Sequence, residues 1–493
     1  MTFTAACGWS LLRSAVVAVI GLWGAVHLTR LVSQQRGAAR IVAWVLILAP
    51  FLSPGLIVGY GYRNYSLSLV HHPAWNELLY VAILIGQAAP IGALLLYFAP
   101  PPPVSASGVH VWRMGAPTAG GAAAGVRLRA RLQSAMISLR GPRQAWLPAA
   151  AVIFLIAFQE SETAALLQVH GWPEWLFTRY AGLVDLTATR YRMLELVAIQ
   201  AVVLVPVVAW VWRSLATGRR PERTASVTVS NGWWLWPCGM CILDTLLPCG
   251  VVLRGAWQGL ESLRQQPSFW QELLHGLAFA MTAGAIACTL AGGLIRKIDA
   301  GPAPVESPQP RSSLAGLWRP LLLGLLLLPG LCGSMTLALL VDDLFQRSWL
   351  QWAYDSPARI LTALTLILFP RAVLVQTCVP FDRRTTELHA AGLLSAGASD
   401  QRRAARELDW RLRGRPRFWS YVLVCSWGYL DLMIATISAP PGMEPVVKRL
   451  YNFMHFGHIA GLSAMVCVTV AAPLLLAAAF LFVRRWRTGW TAA

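Results

Sequence analysis

Five acidic residues sit inside otherwise apolar stretches: Glu160, Glu162, Glu195, Asp244 and Asp431. A carboxylate in hydrocarbon is costly, so each is a functional suspect by default. Glu160 and Asp431 carry the most weight, because an internal repeat pairs them. They fit two roles, lining a translocation path or anchoring helices by hydrogen bonds. Other chemistry is thinner. His455 and His458 in "HFGH" share a helix face at this spacing, but no Cys, Asp or second His pair completes a metal set. His71 and His72 are equally isolated. Cys238, Cys241 and Cys249 in "WPCGMCILDTLLPCG" include one C-x-x-C with no second pair, and they read as buried thiols rather than a redox or zinc site. No metal site is expected. No G-x-x-x-x-G-K-[ST] phosphate loop is present, so the chain holds no nucleotide in the usual way and carries no cofactor of its own.

The elements that position these residues are membrane spans. Mean hydropathy is +0.54, 56% of residues are hydrophobic and 13% are charged, which excludes an ordinary soluble domain. Apolar runs of about 20 residues recur, the length a helix needs to cross a ~30 Å hydrocarbon core. Lipid cannot satisfy backbone hydrogen bonds, so the spans are helices. The expected fold is all-α and polytopic, with about 11 transmembrane helices in two related halves. Span centres fall near Val19, Phe51, Gly86, Phe154, Leu204, Cys241, Ala283, Leu327, Ile367, Ser426 and Ala472. Arg13 precedes a long apolar stretch without an evident cleavage site, and this stretch is taken as the first span.

A net charge of +19 raises the question of nucleic acid. The distribution answers it. With the N-terminus outside, Arg36 and Arg40, the run from Arg113 to Arg143, Arg213 to Arg223, Arg296 and Lys297, the dense run Arg402 to Arg417 and the tail Arg484 to Arg487 all fall inside. The intervening loops are balanced or acidic. This positive-inside pattern reports topology, with attraction to anionic membrane lipid as a by-product, and no nucleic-acid partner is expected.

The second half repeats the first. "PIGALLLYFAPPPPVSASGVHVWRMG" from Pro90 runs against "PRAVLVQTCVPFDRRTTELHAAGLLS" from Pro370, and "LRGPRQAW" meets "LRGRPRFW". The stretch from Glu160 then meets that from Asp431, pairing Glu160 with Asp431, Gly171 with Gly442 and Tyr180 with Tyr451. The polar, basic join near residue 225 divides the chain into residues 1–225 with five spans and 226–493 with six. The span around Cys241 has no counterpart, as if the first half had lost its initial helix or the chain began downstream of one.

The cytoplasmic segment "RRTTELHAAGLLSAGASDQRRAARELDWRLRGRP" resembles the ATPase-coupling loop of binding-protein-dependent ABC transporter permeases, an E-A-A-x-x-x-G pattern. His389, Ala390 and Ala391 match the E-A-A and Ser395 the glycine, with Glu387 and Gly397 flanking them. In the first half Gly115 falls opposite Ser395, and Val109, His110 and Val111 replace E-A-A. The glutamate is absent at its own position, and the motif's terminal Leu–Pro is missing. "APPGMEPVVKRLYNFMHFGHIAGLSAM" resembles the stretch before the last span of iron(III)- and thiamine-type permeases. "APFLSPGLIVGYGY" and "ESETAALL" resemble two of their helices. The resemblance implies a fused two-domain permease in a bacterial inner membrane. It further implies two cytoplasmic ATP-binding subunits, with ATP held there, and a periplasmic solute-binding protein. The solute would be small, such as iron(III) or a thiamine-like compound. Two other functions remain open. An ion-coupled secondary transporter would place midplane acids on paired broken helices. A lipid-linked glycosyltransferase would need an acidic cluster on one face, for which "VDD" at Val341–Asp343 is the hint.

Overall fold

A computed structural model describes residues 2–69, 71–99, 106–115, 133, 137, 141, 143–182, 186–217, 231–299, 313–378, 386–456 and 459–487. The linker at 218–230, the Pro-rich spacer at 300–312, most of the Arg113–Arg140 stretch and His458 lie outside the described residues. Every described regular element is helical.

The first part of the chain contains α1 (Phe3–Gln34), α2 (Gly37–Leu52), α3 (Gly55–Ser68), α4 (Pro73–Tyr97), α5 (Ala106–Gly115), α6 (Trp146–Gln159), α7 (Glu162–Leu167), α8 (Trp172–Ala181) and α9 (Leu186–Thr217). Next comes α10 (Leu235–Cys241), joined through a π-helical turn (Ile242–Leu246) to α11 (Leu247–Arg264). The rest is α12 (Pro267–Asp299), α13 (Ser313–Leu331), α14 (Ser334–Phe345), α15 (Ala358–Cys378), α16 (Thr386–Ser395), α17 (Ser399–Asp409), α18 (Arg415–Tyr429), α19 (Leu432–Ser438), α20 (Val446–Phe456) and α21 (Ile459–Arg487).

Seven helices among the described residues are long and apolar enough to cross a membrane. Three bent pairs raise the number to 10 if each is one span. The protein is thus a multi-pass helical membrane protein by length and composition. The eleventh expected span, around Phe154, is different. It is the 14-residue helix α6, about 21 Å long at 1.5 Å per residue and short of the ~30 Å core. It stops because the backbone at Glu160 turns extended (φ −64°, ψ 127°).

The bends have local causes. α2 and α3 meet at 75° across Ser53 and Pro54, and α13 and α14 at 97° across Cys332 and Gly333. Proline removes a donor from the ladder. Gly333 adopts φ +85°, a left-handed conformation that favours glycine. α18 and α19 meet at 59° just before Asp431.

Packing recurs along the chain. α1 packs against α4 and α6, and α12 packs in the same way against α15 and α18. α3 lies on α7 as α14 lies on α19, and α2 lies on α4 as α13 lies on α15. Boundaries recur too. Adding 280 to both ends of α5 gives both ends of α16. Adding 279 to the bend between α2 and α3 gives the bend between α13 and α14. One seam differs: α9 packs directly on α13, whereas α11 stands between α21 and α3.

Candidate functional site

Two short helices, α7 and α19, begin at the chain breaks that follow α6 and α18, and their surroundings match. A helix start leaves amide donors without intrahelical partners, and a carboxylate can accept them. The Glu160 carboxylate accepts from the Thr163 amide at 2.6 Å and the Ala164 amide at 3.1 Å. The Asp431 carboxylate accepts from the Ile434 amide at 3.0 Å. Each carboxylate also meets a second element. Tyr80 of α4 donates its hydroxyl to Glu160 at 2.7 Å, and Ser334 at the start of α14 lies beside Asp431. The two residues paired in the sequence repeat therefore do the same job, capping a short helix.

The far ends match as well. Carbonyls at a helix C-terminus favour a cation. Arg13 of α1 donates to the His170 carbonyl at 2.9 Å, just past α7, and pairs with Glu77. Arg359 of α15 donates to the carbonyls of Ser438 at 3.2 Å and Ala439 at 3.1 Å, at the end of α19, and pairs with Asp342 at 2.8 Å. Both arginines are buried, and each is neutralised by its carboxylate and fixed to backbone oxygens, as a buried guanidinium must be.

Between the two caps lies a third carboxylate. Glu162, the first residue of α7, accepts from the Leu432 amide of α19 at 2.9 Å. Arg371, one residue past Pro370 in α15, is the cation that acts on both Glu162 and Asp431. Beside this cluster is a cavity of about 60 Å³ lined by Arg13, Glu160, Met335, Met433, Thr436 and Tyr451, among others. Tyr180 of α8 donates its hydroxyl to Asp342. Burial and that bond push the Tyr180 hydroxyl up from its ordinary value. Burial raises the Tyr451 hydroxyl as well, against the opposing charge of Arg63 in α3.

The residues expected in a coupling loop lie apart from this cluster. Glu387, His389 and Ala390 are exposed on α16, and Ala391 is buried. Ser395 ends α16 and donates its hydroxyl to the Gly392 carbonyl at 2.6 Å. Gly397 lies in the turn to α17, where a Cβ would fall 1.7 Å from Gln401 Oε1. Gly115 ends α5. The short helices α5 and α16 are thus the elements that present these residues.

Of the remaining suspects, Glu195 is an exposed residue bonded to Arg192 at 2.6 Å. The "VDD" carboxylates are engaged, Asp342 by Arg359 and Asp343 by Arg347 at 3.1 Å. Cys238, Cys241 and Cys249 are free thiols. Among the described residues, no three His, Cys, Asp or Glu side chains gather closely enough to hold a metal. Sequence reasoning passed over Arg13, Arg359 and Arg371. The available signal was an arginine within or at the edge of an apolar run; Arg13 was noted only as the residue before the first span, and Arg359 and Arg371 not at all.

Together these features define a multi-pass helical membrane protein with interrupted helices and a buried charge cluster where they meet. No protein-family profile, curated protein or solved structure matches the chain.

Proposed function

We propose that the chain is the membrane-spanning permease of an ATP-driven ABC importer. It comprises two related halves, residues 1–225 and 226–493, in a bacterial inner membrane. The observation that carries this reading is the pair α5 and α16. They are ten-residue helices in one register, each following a proline-bearing span, α4 or α15, on the arginine-rich side. A pair of short helices on one face is what two identical engines need for docking. The recurrent packing supports duplication with both halves in the same orientation. In this reading α6, α7 and the chain between them serve as the eleventh span, and α10–α11 is the span without a counterpart.

In operation, two cytoplasmic ATP-binding subunits grip α5 and α16, and a periplasmic binding protein delivers a small solute. Iron(III) or a thiamine-like compound follows from the sequence resemblance. The chain itself performs no hydrolysis. The test is co-expression with an ATP-binding subunit and a solute-binding protein encoded beside its gene. A stable complex and ATP-dependent uptake into proteoliposomes are expected. Uptake by the chain alone, driven by an ion gradient, would overturn the reading.

That outcome would favour an ion-coupled secondary transporter, for which one observation speaks. Glu160, Glu162, Asp431 and Arg371 converge where two interrupted helices begin.

A further inference from the structure

Asp244 takes no part in the cluster described above. It lies in the π-helical turn of the span without a counterpart. Its side chain is 0% exposed, and neither carboxylate oxygen has a hydrogen-bond partner. A buried carboxylate left without donors or a cation is among the most costly arrangements in a protein. π-turns occur mostly as local insertions and often mark functional positions.

The neighbours show how the cost is met. α4 faces the turn with Gly86, and a Cβ there would lie 1.6 Å from Asp244 Oδ2. The Gly86 backbone is thus packed directly on one carboxylate oxygen. The groups on either side of Asp244 are already used: Tyr62 of α3 donates to the Leu243 carbonyl at 2.7 Å, and Thr245 bonds Ser53 at 2.9 Å. Among the described residues no cation meets Asp244: Arg63 of α3 acts instead on Tyr60 and Tyr451. On α2 the charged residue is Arg40, which donates to Tyr97 of α4 at 2.8 Å. On α4 it is Glu77, paired with Arg13, and Tyr80 is bonded to Glu160. α10 brings Cys238 and Cys241. α11 brings Cys249, with Arg254, Glu261 and Arg264 ten or more residues along the chain from Asp244. Among the described residues, then, nothing but a proton is placed to neutralise this carboxylate.

We propose that Asp244 is a proton-binding site within the membrane, holding a proton while α4 is packed on the π-turn. Separating Gly86 from the turn admits water and lets the proton leave. The closed contact is therefore favoured as pH falls and weakened as pH rises, by linkage. The site is independent of the transport reading, because it rests on this one contact.

Infrared spectroscopy of the full chain in lipid nanodiscs tests it. At neutral pH the wild type is expected to show the carbonyl stretch of a protonated carboxylic acid that Asp244→Asn loses. Asparagine matches the neutral acid in shape, so this variant is expected to keep the wild-type Tm and to lose alkaline destabilisation of the α4 contact. If the variant does not fold, isotope-labelled aspartate in the wild type shows the band to be an aspartate's, and its persistence in Asp431→Asn and Asp342→Asn leaves Asp244 as the source. Absence of a protonated-aspartate band at neutral pH, or a band unchanged in Asp244→Asn, overturns the proposal.

Discussion

Glu162 and Leu432 are 270 residues apart in sequence, yet the carboxylate of one accepts the amide of the other at 2.9 Å. The bond ties the start of α7 to the start of α19. It also brings the Glu162 carboxyl into the field of Arg371. Glu162→Ala should leave both the amide and the guanidinium without this partner. Removing one member of a buried charged set costs about 3–5 kcal/mol. Glu162→Gln keeps an acceptor for the amide and should cost less. Thermal unfolding of the two variants in detergent is the measurement, and equal Tm losses would separate Glu162 from any bonding role.

The Arg359–Asp342 pair makes a second, sharper case. Arg359 serves one carboxylate and two carbonyls at the end of α19. Lysine keeps the charge but not the fork of donors. Arg359→Lys is therefore expected to lose a large part of what Arg359→Ala loses, and Asp342→Asn should also destabilise. In a double-mutant cycle the two residues should couple by at least about 1 kcal/mol. Additive effects would show that the pair acts independently.

Alkaline stability gives a third test. Tyr180 bonds Asp342, and its hydroxyl is held above the ordinary tyrosine value of about 10. The folded protein thus keeps this proton where the unfolded chain releases it. The contribution is present below pH ~10 and is lost as pH rises toward the folded value. Tyr180→Phe should remove that part of the alkaline loss and lower stability at neutral pH. An unchanged alkaline profile in Tyr180→Phe would assign the loss to other tyrosines.

How far the sequence disclosed this arrangement depends on the distance over which each feature is determined. Helical class and span centres are local: uninterrupted apolar runs set them, as in α4 and α12. The pairing of Glu160 with Asp431 was read from a register of few identities, and both carboxylates accept amides at the starts of short helices. Their capping role was one of two open readings, and only the breaks before α7 and α19 distinguish it. The short length of α6 was not legible, since an apolar run resumes at Ala164–Leu167 after the polar residues Gln159 to Thr163. The arginines were missed for a different reason. Arg13 and Arg359 act on carbonyls of distant segments, at His170 and Ser438, and nothing near them in sequence announces those partners. Arg371 likewise reads as one more basic residue until α15 is packed beside α19.

Topology can be checked without any partner. If the arginine asymmetry sets orientation, α5 and α16 share the inner face with the linker near residue 225. Single cysteines introduced at His110 and His389 in a cysteine-free background should resist a membrane-impermeant reagent in intact cells and react in inverted vesicles. A cysteine at His71 should behave in the opposite way. Labelling of position 389 in intact cells would reverse or break the assigned topology.

The last prediction concerns which of the two short helices matters more to a docked engine. α16 presents Ala390 and the small Ser395, and a tight turn through Gly397 leads it directly into α17. α5 presents β-branched Val111, exposed, beside His110. A helix seated in a partner's groove tolerates little extra bulk, and overpacking a fitted contact costs roughly 1–3 kcal/mol. That corresponds to roughly a 5- to 150-fold loss of affinity. Ser395 is exposed, and its bond to Gly392 is local, so Ser395→Trp should leave the fold intact and act on docking alone. Gly115→Trp should act in the same direction but more weakly. Co-purification of the ATP-binding subunit and solute uptake, measured for both variants at matched Tm, give the answer. Normal association and uptake in Ser395→Trp would remove α16 from the coupling role and shift the weight to the charge cluster between α7 and α19.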